Sequence, residues 1–306
     1  MMRVPPKVTI VEVGPRDGLQ NERTQISTAD KIAFIDQLTA AGHSTIEVSA
    51  FVSPKWVPQM ADAGDVFAGI TRRAGVHYTA LVPHPQGLER AIAAGASEVA
   101  IFAAASETFS RRNINQSIDE SLTNYAAVCT TAAAAGLRAR GYLSTCFACP
   151  CEGPIAPSQV ATVSARLQAL GVYQVVISDT IGAAHPGQVA AVLDAVSAHV
   201  SLENLALHFH DTRGTALANV LAGLDSGVTT FDSSAGGLGG CPFAPGAAGN
   251  LATEDLLFML NGLGVATGVS LDEVARASRI IEGKLDHMLP SRYLRAPRLA
   301  QHVANS

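Results

Sequence analysis

Eight short apolar runs recur along this chain at a spacing that few folds can use. They occupy residues 8–13, 45–51, 77–82, 98–103, 138–144, 174–179, 205–210 and 229–234. Most are nearly continuous in apolar residues instead of alternating with polar ones, as expected of strands covered on both faces. Helical signals fill the gaps. Thr28 is placed to cap a helix carrying Ile32, Ile35 and Leu38 on one face, with Gly42 stopping it. Pro157 opens another, with Val160, Val163, Leu167 and Leu170 inward and Gly171 at its end. Further helices are expected from Pro186, between Gly214 and Gly227, and in the Ala-rich stretch 117–136. Strand and helix alternate eight times, which predicts an α/β fold, a (β/α)8 TIM barrel with a parallel sheet. An open doubly wound sheet would need a Gly-rich phosphate turn after its first strand. This chain has Gly14-Pro15-Arg16-Asp17-Gly18 there, which is no such turn.

A barrel of this kind typically takes about 250 residues. The 306 residues are therefore read as one catalytic domain, 1–306. The barrel covers about 8–265, and C-terminal helices and a tail cover about 266–306. The formal net charge is −5, with no Lys/Arg-rich block, so no nucleic-acid partner is expected. No apolar run approaches the roughly 20 residues that a membrane span needs. The opening residues carry neither a signal-peptide core nor an Arg/Ser-rich presequence, so a cytoplasmic location is expected. Five cysteines are too few and too unevenly spaced for a disulfide framework.

Polar residues that break the apolar pattern collect at the C-terminal ends of the strands, where barrels of this kind keep their chemistry. The first strand runs into Arg16 and Asp17, the second carries Glu47, the sixth ends in Asp179, and the seventh ends in His208-Phe209-His210. Side chains alternate faces along a strand, so His208 and His210 point the same way, as a ready pair of metal ligands. Past the eighth run, the loop brings Cys241 and Asn250. One carboxylate, two imidazoles and one amide oxygen from Asp17, His208, His210 and Asn250 suit Mg²⁺ or Mn²⁺ with open positions for a chelating substrate. Structural zinc would call for a closed, thiolate-rich set. Cys146, Cys149 and Cys151 offer no fourth ligand nearby and are read as packing or loop residues.

Arg16 can grip a carboxylate or a carbonyl oxygen that gains negative charge, or it can be paired with Glu47 or Asp179. Glu47 is read as a partner for Arg16 or for a metal-bound water, and Asp179 as a base or an orienting group. Cys241 lies among glycines, not on an apolar strand, and is a candidate proton donor or acceptor for a carbon acid. The histidines at 43, 77, 84, 185, 199 and 287 are read as ordinary core or surface residues.

Several stretches together resemble the 3-hydroxy-3-methylglutaryl-CoA lyase family. They are 14–22, running from Gly14-Pro15-Arg16-Asp17 to Asn21-Glu22, and 49–60, which contains Ser53-Pro54-Lys55-Trp56. They continue with Asn113-Ile114-Asn115, Ser178-Asp179-Thr180-Ile181-Gly182 and His208-Phe209-His210-Asp211-Thr212. The last are Gly237-Leu238-Gly239-Gly240-Cys241-Pro242 and 249–255. The match runs in order over nearly the whole chain. It implies cleavage of 3-hydroxy-3-methylglutaryl-CoA to acetyl-CoA and acetoacetate, with Asp17, His208, His210 and Asn250 on a divalent cation. It also implies Arg16 on the substrate carbonyl, Cys241 as a catalytic thiol on a mobile loop, and Glu47 and Asp179 in support. Substrate contacts are expected at Arg16, Lys55 and Asn113, the last two near the CoA phosphates. The implied partner is an acyl-CoA thioester, and a homodimer is compatible with the resemblance. Cys151, Arg213 and Thr215 depart from the family pattern and leave the acyl group open. The alternatives are a lyase for another 3-hydroxyacyl-CoA or an enzyme that condenses acetyl-CoA with a keto acid.

Overall fold

In the computed structural model, residues 4–240 and 249–296 are described, and every expected strand forms. The first five are β1 (Thr9–Glu12), β2 (Thr45–Ala50), β3 (His77–Leu81), β4 (Glu98–Ala104) and β5 (Arg138–Ser144). A short antiparallel hairpin follows, β6 (Ala148–Cys149) with β7 (Gly153–Pro154). The chain then returns as β8 (Gln174–Asp179), β9 (Leu205–Phe209) and β10 (Thr230–Ser233). The eight long strands close in the order β1-β10-β9-β8-β5-β4-β3-β2, and every neighbouring pair is parallel.

Each strand returns through at least one helix, and the helix faces explain the chain's periodicity. Helix Thr28–Ala40 buries Phe34, Ile35 and Leu38 against the barrel. Its cap differs from the expectation. Ser27, not Thr28, has the extended backbone of a cap, and its Oγ accepts from Asp30 N at 3.2 Å. Thr28 is the first helical residue, and its hydroxyl donates to Asp62 Oδ2 at 2.8 Å. Helix Pro157–Ala169 buries Val160, Val163 and Leu167, as its spacing predicts. Fully burying such a side chain is worth about 1.5–3 kcal/mol, so truncating Phe34 to Ala would cost about 3–5 kcal/mol. The chain after β10 forms Thr253–Gly262 and Leu271–Glu282, and the latter packs on Thr28–Ala40. Among the described residues, no helix is long and apolar enough to cross a membrane.

The inside of the barrel departs from the all-apolar filling that the strand composition suggests. Arg140 on β5 reaches across to Asp232 on β10, Nη2 to Oδ1, at 2.7 Å. Tyr142, two residues further along β5, reaches Glu47 on β2 with its hydroxyl at 3.4 Å. Neither pair of strands is adjacent in the sheet, so these bonds run through the barrel interior. Arg140, Glu47 and Asp232 are all essentially inaccessible to solvent. Burying such charges is tolerable only because each has a partner.

Candidate metal centre at the barrel rim

The chain leaves β1 through a wide turn, Gly14–Gly18, in which the backbone N–H groups of Arg16, Asp17 and Gly18 all donate to the Val13 carbonyl, at 3.2, 2.8 and 3.2 Å. That convergence brings two successive charged side chains, Arg16 and Asp17, to the mouth of the barrel. Gly18 is required by space: a Cβ there would lie 2.8 Å from Leu238 Cβ. Arg16 is buried and paired on two sides. Its Nε and Nη2 lie 2.7 and 2.6 Å from Glu47 Oε2, and Nη1 lies 2.7 Å from Asp17 Oδ1. Of the two partners the sequence allowed for Arg16, the fold selects Glu47. Burial alone would lower the guanidinium's pKa, but the Glu47 and Asp17 carboxylates more than offset it, and Arg16 stays fully protonated. Asp17 is held well below the usual carboxylate range: burial opposes ionisation, but Arg16, the two imidazoles and the Asn250 amide outweigh it.

His208 and His210 share a face of the chain at the end of β9, with ring centroids 5.3 Å apart. Donor atoms of Asp17, His208 and His210 lie within 4.8 Å of one another, and among the described residues they are the one His/Cys/Asp/Glu set so arranged. The two imidazoles differ in their surroundings. His208 Nδ1 faces Asp232 Oδ2 at 3.3 Å, and its Nε2 lies 3.9 Å from Asp17 Oδ2. Burial pulls its pKa down, but Asp232 and Asp17 raise it overall. Among the described residues His210 has no carboxylate hydrogen bond, and burial followed by repulsion from His208, opposed in part by Asp17, pushes it down to about 4.

Asn250 arrives from far along the chain. Leu251 N donates to Phe209 O at 2.9 Å and Asp211 N to Gly249 O at 3.1 Å, which hooks this segment onto the end of β9. The Asn250 amide nitrogen then donates to Asp17 Oδ2 at 2.8 Å and Leu238 O at 3.1 Å. Among the described residues, its buried Oδ1 has no hydrogen-bond partner, and neither has His210 Nδ1. Leaving a buried polar atom unpaired costs about 1–3 kcal/mol, so an orphaned carbonyl oxygen on an amide hydrogen-bonded to Asp17 fits a cation site. The charge balance agrees. Around the two imidazoles, three carboxylates (Asp17, Glu47, Asp232) face two guanidiniums (Arg16, Arg140), which leaves one negative charge.

The other expected site residues fall in different places. Asp179 is buried at the end of β8, and both its oxygens are occupied, accepting from Ala183 N at 2.9 Å and Ala184 N at 3.0 Å. It anchors the turn that follows its own strand. Lys55 and Asn113 are exposed on the same rim, after β2 and β4. Cys241 lies outside the described residues. Cys146 and Cys149 are buried, and Cys151 is exposed, where its sulfur accepts from Arg112 Nη1 at 3.2 Å. The sequence reading missed Arg140, Tyr142, Gln174 and Asp232. The available signal was period two: Arg140 and Tyr142 stand on one face of a strand, and Asp232 interrupts another.

The HMGL-like family model matches residues 7–281. The chain is 52% identical over 280 residues to the 3-hydroxy-3-isohexenylglutaryl-CoA/hydroxy-methylglutaryl-CoA lyase of Pseudomonas aeruginosa, covering 92% of this chain and 93% of that protein. A crystal structure of the Bacillus subtilis HMG-CoA lyase is similar at 51% identity and a TM-score of 0.94, covering 96% of this chain and 99% of that one. An HMG-CoA lyase from Acinetobacter baumannii in complex with coenzyme A and 3-methylmalate is similar at 39% identity and a TM-score of 0.92, covering 97% of each.

Proposed function

The chain belongs to the HMGL-like family, and we propose that it is a carbon–carbon lyase splitting 3-hydroxy-3-methylglutaryl-CoA into acetyl-CoA and acetoacetate. The observation that carries this reading is the meeting of Asp17, His208, His210 and the unpartnered Asn250 oxygen beside the buried Arg16–Glu47 pair. Those four residues would hold a divalent cation, Mg²⁺ or Mn²⁺. When bound, the cation supplies Lewis acidity that eases ionisation of the substrate's tertiary hydroxyl.

The protein groups account for the rest. A base takes the hydroxyl proton, and as the C2–C3 bond breaks the former hydroxyl carbon becomes the ketone of acetoacetate. The electron pair of that bond passes to the thioester, which becomes an enolate. Arg16 has five N–H donors, and its contacts to Glu47 and Asp17 use three of them, so two remain for the enolate oxygen. Glu47 and Asp17 hold the guanidinium plane still, so little reorganisation is needed as charge develops. Cys241 delivers a proton to C2 and completes acetyl-CoA. Asp179 holds the 182–184 turn at the rim. The CoA phosphates fall to Lys55 and to the exposed end of helix Glu107–Ile114, which carries Arg111, Arg112 and Asn113.

The three departures from the family pattern bear on the acyl group. Arg213 Nη1 donates to the carbonyls of Ile181 and Gly182 at 3.0 and 2.8 Å, and Thr215 Oγ1 donates to Ala184 O at 2.9 Å. Both tie down the turn beside Asp179, and the Pseudomonas relative's name carries a longer isohexenyl substituent. Acetyl-CoA release from 3-hydroxy-3-methyl- and 3-hydroxy-3-isohexenylglutaryl-CoA, with Mn²⁺ and then with EDTA, tests the reading. Acetyl-CoA and acetoacetate should appear from the methyl substrate and stop with EDTA. Turnover unaffected by EDTA, or release of free CoA on mixing acetyl-CoA with keto acids in place of cleavage, would overturn it.

A further inference from the structure

We infer that Asp232, clamped by Arg140, is a positioning residue that decides which nitrogen of His208 faces the metal pocket. Asp232 sits inside the barrel on β10, 1% exposed. One oxygen accepts from Arg140 Nη2 at 2.7 Å, and the other lies 3.3 Å from His208 Nδ1. A carboxylate can only accept, so Nδ1 must carry the hydrogen. The Nε2 lone pair is then left on the opposite edge of the ring, toward Asp17. That is the tautomer a metal ligand needs, enforced from behind by a carboxylate.

Arg140 makes the device directional. Its Nε donates to Gln174 Oε1 at 3.0 Å and its Nη1 to the Tyr142 hydroxyl at 3.0 Å, so the guanidinium is held from three sides and cannot swing away. Consider Asp232→Asn in that frame. The single amide oxygen stays on Arg140, because a buried guanidinium left without its acceptor is costly. The amide NH₂ then faces His208 Nδ1, donor toward donor. The imidazole resolves the clash by moving its hydrogen to Nε2, which blocks the lone pair that would meet the metal. Simple removal of the carboxylate imposes no such inversion. Loss of packing alone would rank the variants the other way.

The inference rests on the metal reading above, and the test separates the two. Mn²⁺ affinity is measured by EPR titration for the wild type, for Asp232→Asn, and for Asp232→Ala combined with Arg140→Met, which removes the buried charge together with its partner. Asp232→Asn should bind about 10–100-fold more weakly than wild type, and the double variant less than about tenfold more weakly. In parallel, ¹⁵N-edited imidazole spectra of metal-free wild type, taken above the pH at which the ring titrates, should show His208 protonated on Nδ1. Near wild-type Mn²⁺ affinity in Asp232→Asn, a double variant as weak as Asp232→Asn, or an Nε2–H tautomer in wild type would each overturn the inference. The wild-type spectrum decides even if a variant fails to fold. Wild type that binds no Mn²⁺ would instead sink the metal reading, with the tautomer still measured.

Discussion

The Asn250 amide nitrogen donates to Asp17 Oδ2 at 2.8 Å, which joins the turn after the first strand to a segment 233 residues further along. The bond fixes the amide beside Asp17, a member of the candidate cation site, while its Oδ1 has no hydrogen-bond partner among the described residues. Asn250→Ala should therefore weaken Mn²⁺ binding by about tenfold or more while leaving the barrel folded. Calorimetric titration measures this, and unchanged affinity would remove Asn250 from the ligand set.

Arg16 and Glu47 form a pair whose side chains are 8% and 1% exposed. Arg16→Gln leaves a buried carboxylate facing a neutral amide, which should cost about 3–5 kcal/mol of stability. It should also lower turnover by at least about 10³-fold through loss of enolate stabilisation. Adding Glu47→Gln removes the stranded charge. Most of the stability should return on denaturant unfolding, and none of the turnover. A double variant that regained activity would show that Arg16 acts only as a counterion.

A cation that Asp17, His208, His210 and Asn250 would hold, as proposed, would bind the folded chain and not the unfolded one. Free Mn²⁺ at 100 times its dissociation constant should add about 2.7 kcal/mol to stability, and excess EDTA should take it away. Thermal melts with and without metal read the effect as an upward shift of several degrees. Superimposable melts would argue against an ion at this position.

His43 is fully buried, and its Nε2 lies 3.6 Å from Glu12 Oε2. Burial pushes its pKa down from 6.5 to about 4. The folded state thus binds its proton more weakly than the unfolded state does. The stabilisation is complete above pH 6.5 and is lost as pH falls toward 4, amounting to about 3 kcal/mol for a shift of this size. His43→Leu should flatten that part of the stability–pH curve, as measured by urea unfolding between pH 7 and pH 4. An identical acid slope in the variant would assign the loss to other groups.

The strand and helix periods were legible because each is set by residues within a few positions of one another. Residues 174–179 bury themselves as a strand whatever lies elsewhere, and residues 157–169 present an apolar stripe whatever they pack on. The H-x-H pair was legible for the same reason, since a period of two puts His208 and His210 on one face regardless of context. The misplaced cap shows the limit of such reading: Ser27 and Thr28 are equally able caps by type, and only the backbone angles separate them.

Which of two faces a strand residue occupies is another matter. Arg140, Tyr142 and Asp232 read in sequence as interruptions of apolar runs, and nothing local says whether they point at the helices or into the barrel. Only closure of the sheet brings β5 opposite β10 and β2, and with it Arg140 to Asp232 and Tyr142 to Glu47. The chain's own pattern therefore determined a barrel and nominated candidate ligands at its mouth. The tertiary structure decided their partners, pairing Arg16 with Glu47, occupying Asp179 with backbone N–H groups and backing His208 with Asp232. Those choices depend on distances between strands that are not neighbours, and local periodicity carries no information about them.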